Sequence, residues 1–208
     1  MKRFIFITIS AILFLATPVY ARMNVGVVGG GGGEVAACAT TKDSQTAHTV
    51  SVSSIFRNAN NRDWYASNFT AGSNYSPCSV TVRIGTRFGS TGTFHVEVWS
   101  SNGGSPDLPS SQVGGDSDSV NWSSVSETTI SDSDDFNIVF TWSSNAPSLV
   151  SGTTYWLVFM PEWAPGNTNY CNIGCRGSET NMGAVYDIDI TTWTALDTGR
   201  VYYVFKSN

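Results

Sequence analysis

Charge is what this chain has least of: Asp, Glu, Lys and Arg together make up only 13% of its 208 residues, roughly half the share near 25% usual in globular domains. Its surface must therefore be built from Ser, Thr, Asn and Gly. Lys and Arg number 11 against 16 Asp and Glu, for a net charge of −5, and no basic cluster occurs anywhere. Nothing here would neutralise a run of phosphates, so a nucleic-acid partner is excluded. Histidine occurs only twice, as His48 and His95, neither of them near a second histidine. No helical periodicity of useful length appears after residue 21, and no segment recurs at a period of about 20–50 residues, which excludes helical bundles, solenoids and propellers. Nor is there a G-x-S-x-G elbow, and Ser is so abundant that its proximity to Asp carries no information. With no catalytic motif, the chain is expected not to be an enzyme.

What is present begins with a leader. Lys2 and Arg3 precede an apolar run at 4–19, and Val19 and Ala21 supply small residues at the −3 and −1 positions of a cleavage site. This pattern predicts a cleaved signal peptide over 1–21 and a secreted or extracellular mature chain. The run falls short of the ~20 residues that a membrane span needs, so no integral membrane segment is expected in the mature chain. Residues 22–49 read as a flexible lead, because the five consecutive glycines at 29–33 lose the most backbone entropy on ordering. Val35, Ala36, Ala37 and Cys38 also spell a lipobox, but the glycine-rich stretch parts it from the apolar run, which argues against lipidation of Cys38.

The folded domain is placed at 50–208. Val80, Val82 and Ile84 alternate with Thr81 and Arg83; Phe94, Val96 and Val98 alternate with His95, Glu97 and Trp99. Each segment thus offers one apolar face at period two. With Gly89, Ser90 and Gly92 between them, the two predict a β-hairpin needing a second sheet to cover it. Further strands are predicted at 64–70, 136–142, 153–160 and 201–205, the third apolar on both parities and therefore central. Weak edge strands are expected between 109 and 130, and a long loop or two irregular strands over 161–181. Turn signals recur at the spacing of a sandwich. The predicted fold is all-β, a single jelly-roll-like antiparallel β-sandwich.

The pieces WYASNFTAGSNY, SVTVRIG, GTFHVEVWSSNGGSP, FNIVFTW and PSLVSGTTYWLVF, in that order, resemble the bacterial choice-of-anchor R-type domains over about 64–160. The resemblance implies a non-catalytic extracellular sandwich of the kind found on surface and secreted proteins.

Four cysteines in an exported chain predict two disulfides. Of three connectivities, Cys38–Cys78 with Cys171–Cys175 is favoured, the near pair closing a tight loop and the far pair tying the lead to the domain. A zinc site on these cysteines is disfavoured by the C-x3-C spacing and the absence of a nearby histidine. Asp116 with Asp118, the group Asp132, Asp134 and Asp135, and Asp187 with Asp189 are acidic loops. Calcium is the candidate cofactor for them, although solvated loops guarding edge strands explain them as well. Glu97 and Glu162 would serve as a glycosidase pair only if the fold brought them together. Trp99 on an outward parity, and Trp122, Trp163 and Tyr170 in loops, are the candidate ligand-binding residues, since aromatic rings stack on the apolar face of a sugar. The function expected is recognition or adhesion, binding glycan or a surface polymer through these rings. The alternative is a structural protein that self-associates in a matrix or filament through an exposed edge strand.

Overall fold

The computed structural model describes residues 38–46, 50–56, 63–127, 137–163, 168–175, 183–187, 191–196 and 200–208. The leader, the glycine-rich lead, His48, Asp132, Asp134, Asp135 and Asp189 lie outside them. Thirteen strands occur among the described residues: β1 (Thr40–Gln45), β2 (Val50–Ile55), β3 (Trp64–Thr70), β4 (Ser79–Phe88), β5 (Thr93–Ser101), β6 (Pro109–Gln112), β7 (Val120–Asn121), β8 (Asn137–Thr141), β9 (Thr154–Pro161), β10 (Tyr170–Cys175), β11 (Gly183–Asp187), β12 (Thr192–Leu196) and β13 (Tyr203–Ser207). The only helical element among them is the single 3-10 turn Trp122–Ser124, and no helix there is long and apolar enough to cross a membrane.

Two antiparallel sheets pack face to face as a sandwich. One runs β1-β13-β4-β10-β2 with β8 also on β4; the other runs β12-β11-β3-β9-β5-β6 with β7 also on β5. The β9 strand is central, flanked by β3 and β5 and buried from Tyr155 to Phe159, as its two-sided apolar pattern requires. The sandwich begins before residue 50, because β1 adds an edge strand on β13.

The predicted hairpin is corrected. The β4 strand pairs with β13, β8 and β10, and β5 with β9, β6 and β7. They belong to opposite sheets, so 89–92 carries the chain across the sandwich. Period-two alternation fixes which face of a strand is buried and leaves its hydrogen-bonded neighbour undetermined. The alternation itself holds: Val80, Val82 and Ile84 on one sheet and Phe94, Val96 and Val98 on the other are all 0% exposed. The Phe94 ring meets the Phe140 ring of β8 edge-on, centroids 5.2 Å apart. Burying each such ring stabilises by roughly 1.5–3 kcal/mol relative to exposure.

A second, smaller core lies on the outer face of the β9 sheet. Ala66 of β3, Trp156 and Val158 of β9 and Ala184 of β11 are all fully buried there, with Trp99, Leu108, Met160 and Trp193 packed over them. Four strand spacings separate β5 from β12, about 19 Å in a flat sheet, yet the Trp99 and Trp193 rings are 6.0 Å apart. The sheet therefore curls toward this face. Small residues in register, Ala66 with Ala184 and Ala184 with Ala195, leave room for the large rings above them.

Candidate functional site

The outward residues of β5, in order Thr93, His95, Glu97 and Trp99, form one line up the strand. Each is joined to the next level by side-chain hydrogen bonds. The Trp99 indole Nε1–H donates to Glu97 Oε2 at 2.5 Å, and the other Glu97 oxygen lies 3.2 Å from His95 Nε2. On the far side of the ring, His95 Nδ1 is 3.0 Å from Glu162 Oε1. Glu162 also accepts from the Thr93 hydroxyl at 2.5 Å and from the Ser119 hydroxyl. Register explains the meeting: β5 and β9 are antiparallel with His95 opposite Met160, so Glu162, just beyond β9, falls beside Thr93, to whose carbonyl its amide donates at 2.9 Å, within side-chain reach of His95. Asp116, from the loop after β6, comes within 4.0 Å of His95 Nε2 and accepts from the Gln112 amide.

The electrostatics follow from that geometry. Burial by itself would lower the His95 pKa, but hydrogen bonds to Glu97 and Glu162, with the charges of Glu97 and Asp116, outweigh it and hold the imidazole above its ordinary value. Hydrogen bonds from Ser119 and Thr93, with His95 adding to them, hold the Glu162 carboxyl below the usual carboxylate range. Glu97 is only 6% exposed. Such a carboxylate is tolerated only because both oxygens are met by donors.

Beside this ladder lies an aromatic patch on the same outer face. Trp64 stacks on Tyr186 at 4.3 Å, Trp193 lies 5.2 Å from Tyr186, and Trp193 reaches Trp99 as given above. All four residues are half-buried.

The other residues expected in the site are dispersed. Trp122 is 0% exposed, its indole donating to the Phe88 carbonyl at 3.0 Å and its ring edge-on to Phe94 at 5.5 Å. It is a core residue and no platform: its short 3-10 turn folds inward, which a Ser-rich context does not reveal. Trp163 is half-buried over the same core, 4.9 Å from the Trp122 ring. Tyr170 stacks on the exposed Phe88 at 4.3 Å, but on the opposite sheet from Trp99.

Of the expected disulfides, Cys38–Cys78 is present. The Cys171–Cys175 pairing is overturned, since Cys171 is a free, buried thiol. Both residues stand in β10, where four residues of extended chain span about 13 Å, against a limit near 7 Å between bridged Cα atoms. Asp116 and Asp118 do not converge on one ion site: Asp118 accepts instead from Thr141 at 2.7 Å and Ser143 at 2.6 Å. For Asp187 only the backbone is described.

Trp64 and Tyr186 join the site beyond the residues expected from the sequence, and His95, solitary in the sequence, has partners here. The outer parity of β3, in which Trp64, Ala66 and Asn68 alternate with Tyr65, Ser67 and Phe69, was the available signal for Trp64. No protein-family model, curated protein or solved structure matches the chain.

Proposed function

We propose that the protein is a secreted, non-catalytic recognition module that binds a glycan or comparable surface polymer on the outer face of the β9 sheet. The observation that carries this is Trp99: a half-buried indole fixed by its hydrogen bond to Glu97 and its contact with Trp193, at the head of a line of polar groups. A rigid ring that reaches solvent stacks on the apolar side of a pyranose at little conformational cost. Near it, the carboxylates that reach solvent, Asp116 and Glu162, accept from sugar hydroxyls. A half-buried aromatic patch that reaches solvent and is bordered by polar groups is also a usual mark of a binding surface.

The leader pattern and the resemblance to choice-of-anchor R-type domains support the extracellular placement. The Cys38–Cys78 bridge agrees, since disulfides persist in oxidising compartments. The test is a glycan array probed with the mature chain, repeated with Trp99→Ala and Trp193→Ala. Binding by the parent chain and its loss in both variants, with melting temperatures held within a few degrees, is the expected result. Equal binding by parent and variants to every positive glycan rules out the aromatic face.

A further inference from the structure

His95, Glu97 and Asp116 place one nitrogen and two carboxylate oxygens within 4.8 Å of one another. Zinc binds such atoms at about 2.0–2.2 Å, so a donor pair sharing one ion lies roughly 3–4 Å apart. Nε2 of His95 is 3.2 Å from Glu97 Oε1 and 4.0 Å from Asp116 Oδ2, already within that range. The three side chains come from two elements held rigidly together: β5, and the loop whose Ser117 hydroxyl accepts from the Val96 amide at 2.9 Å.

What separates this group from an acidic surface cluster is that each donor has its own outer partner. With Glu162 on Nδ1, a cation would displace the Nε2 proton that otherwise meets Glu97 and take that nitrogen as a ligand beside the two carboxylates. Trp99 fixes the second Glu97 oxygen, and Gln112 fixes the second Asp116 oxygen. A carboxylate on the far nitrogen of a histidine is the usual device that orients a metal-binding imidazole and raises its basicity. Glu97 and His95 are largely enclosed, while the Asp116 side chain is 56% exposed, so an ion would have an entry side and coordination positions open to solvent.

We propose that His95, Glu97 and Asp116 bind a single divalent transition-metal cation, with Glu162 as the positioning residue for the imidazole. Imidazole with two carboxylates matches zinc, whereas calcium would need 6–8 oxygens. The site does not rest on the glycan reading, because its test uses the metal alone.

The experiment is calorimetric titration of the chelator-stripped mature chain with zinc chloride at neutral pH, followed by cobalt substitution read in the visible spectrum. One site per chain is expected, and His95→Ala abolishes it. Asp116→Asn, at an exposed position that leaves folding intact, weakens binding roughly tenfold or more, and Glu162→Gln weakens it about tenfold. His48→Ala leaves it unchanged. Absence of zinc binding by the parent chain overturns the proposal, as does binding that Asp116→Asn leaves at parental strength or that His48→Ala removes. Loss of glycan binding by Trp193→Ala, whose ring meets Trp99 and none of the three ligands, with zinc binding retained separates the two sites experimentally.

Discussion

Breaking the Cys38–Cys78 bridge should destabilise the sandwich by an amount that its loop length sets. Cys38 precedes β1 and Cys78 leads into β4, whose neighbour β13 lies between the two strands. The bridge therefore bolts the edge strand β1 across β13. Cys78 is itself held in the sheet, its amide donating to the Lys206 carbonyl at 2.9 Å and its carbonyl accepting from the Trp142 amide at 3.0 Å. Non-covalent ties also hold β1, for Asp43 accepts from the Gly72 amide at 3.0 Å and Gln45 donates to the Arg200 carbonyl at 3.2 Å. The folded geometry should thus survive reduction, and the main effect falls on the unfolded chain. The two cysteines are 40 residues apart, and a closed loop of that size removes about 4 kcal/mol of unfolded-chain entropy at 25 °C. For a domain of this size 1 kcal/mol shifts the melting temperature by about 2–4 °C, so the loss is about 8–16 °C. Both sulfurs border an open hollow with Thr141, Trp142, Ser143 and Asn208, where a small thiol reductant can reach them. Scanning calorimetry of the oxidised chain, the reduced chain and the Cys38→Ala, Cys78→Ala double variant measures the effect. Identical melting temperatures for the three would refute the reasoning.

Three further outcomes follow from the packing. Burial pushes the Tyr203 hydroxyl up to about 12, and burial beside Asp43 raises Tyr75 further. A raised folded pKa leaves stability whole below the unfolded value, near 10, and removes it as pH climbs toward the folded one; Tyr203 alone accounts for about 2–3 kcal/mol. Melting temperature should be level to about pH 9 and fall steeply by pH 11–12, and ionisation of every tyrosine near pH 10 in the folded chain would contradict this. Burial likewise raises the Cys171 thiol well above its ordinary value, so a thiol reagent should leave it unmodified in the native chain and react promptly in denaturant; mass spectrometry of the native adduct decides. Gly92 sits at φ +113 with the Trp163 ring 2.5 Å from where a Cβ would stand. Gly92→Ala should cost about 2 kcal/mol or more, and a neutral result in denaturant titration would mean that Trp163 does not lie over this turn.

How much of this was legible in the chain follows from what period-two patterns encode. The outward placement of His95, Glu97 and Trp99 and the double burial of β9 were readable, because side-chain parity is a local property of a strand. The partnering of β4 and β5 was not, since β13, β8 and β10 for β4 and β9 for β5 lie tens of residues away, and the glycines between them serve a crossing as readily as a hairpin. His95 looked solitary for the same reason: Glu162 is 67 residues distant and meets it only through the β5–β9 register. Trp122 and Trp99 are the same residue type in polar surroundings, and only the inward turn at Trp122–Ser124 distinguishes a core ring from a surface one. Cys171 and Cys175 are close in sequence, but strand geometry, which the surrounding Asn and Gly conceal, holds them apart.

The Trp99 face of the β9 sheet is the proposed binding surface. Affinity electrophoresis through gels carrying the polysaccharide that scores highest on the array tests it most directly. The parent chain should be retarded, Trp99→Ala should run as in a gel without polysaccharide, and Tyr170→Ala, on the opposite sheet, should be retarded like the parent. Retardation lost with Tyr170→Ala and kept with Trp99→Ala would contradict it.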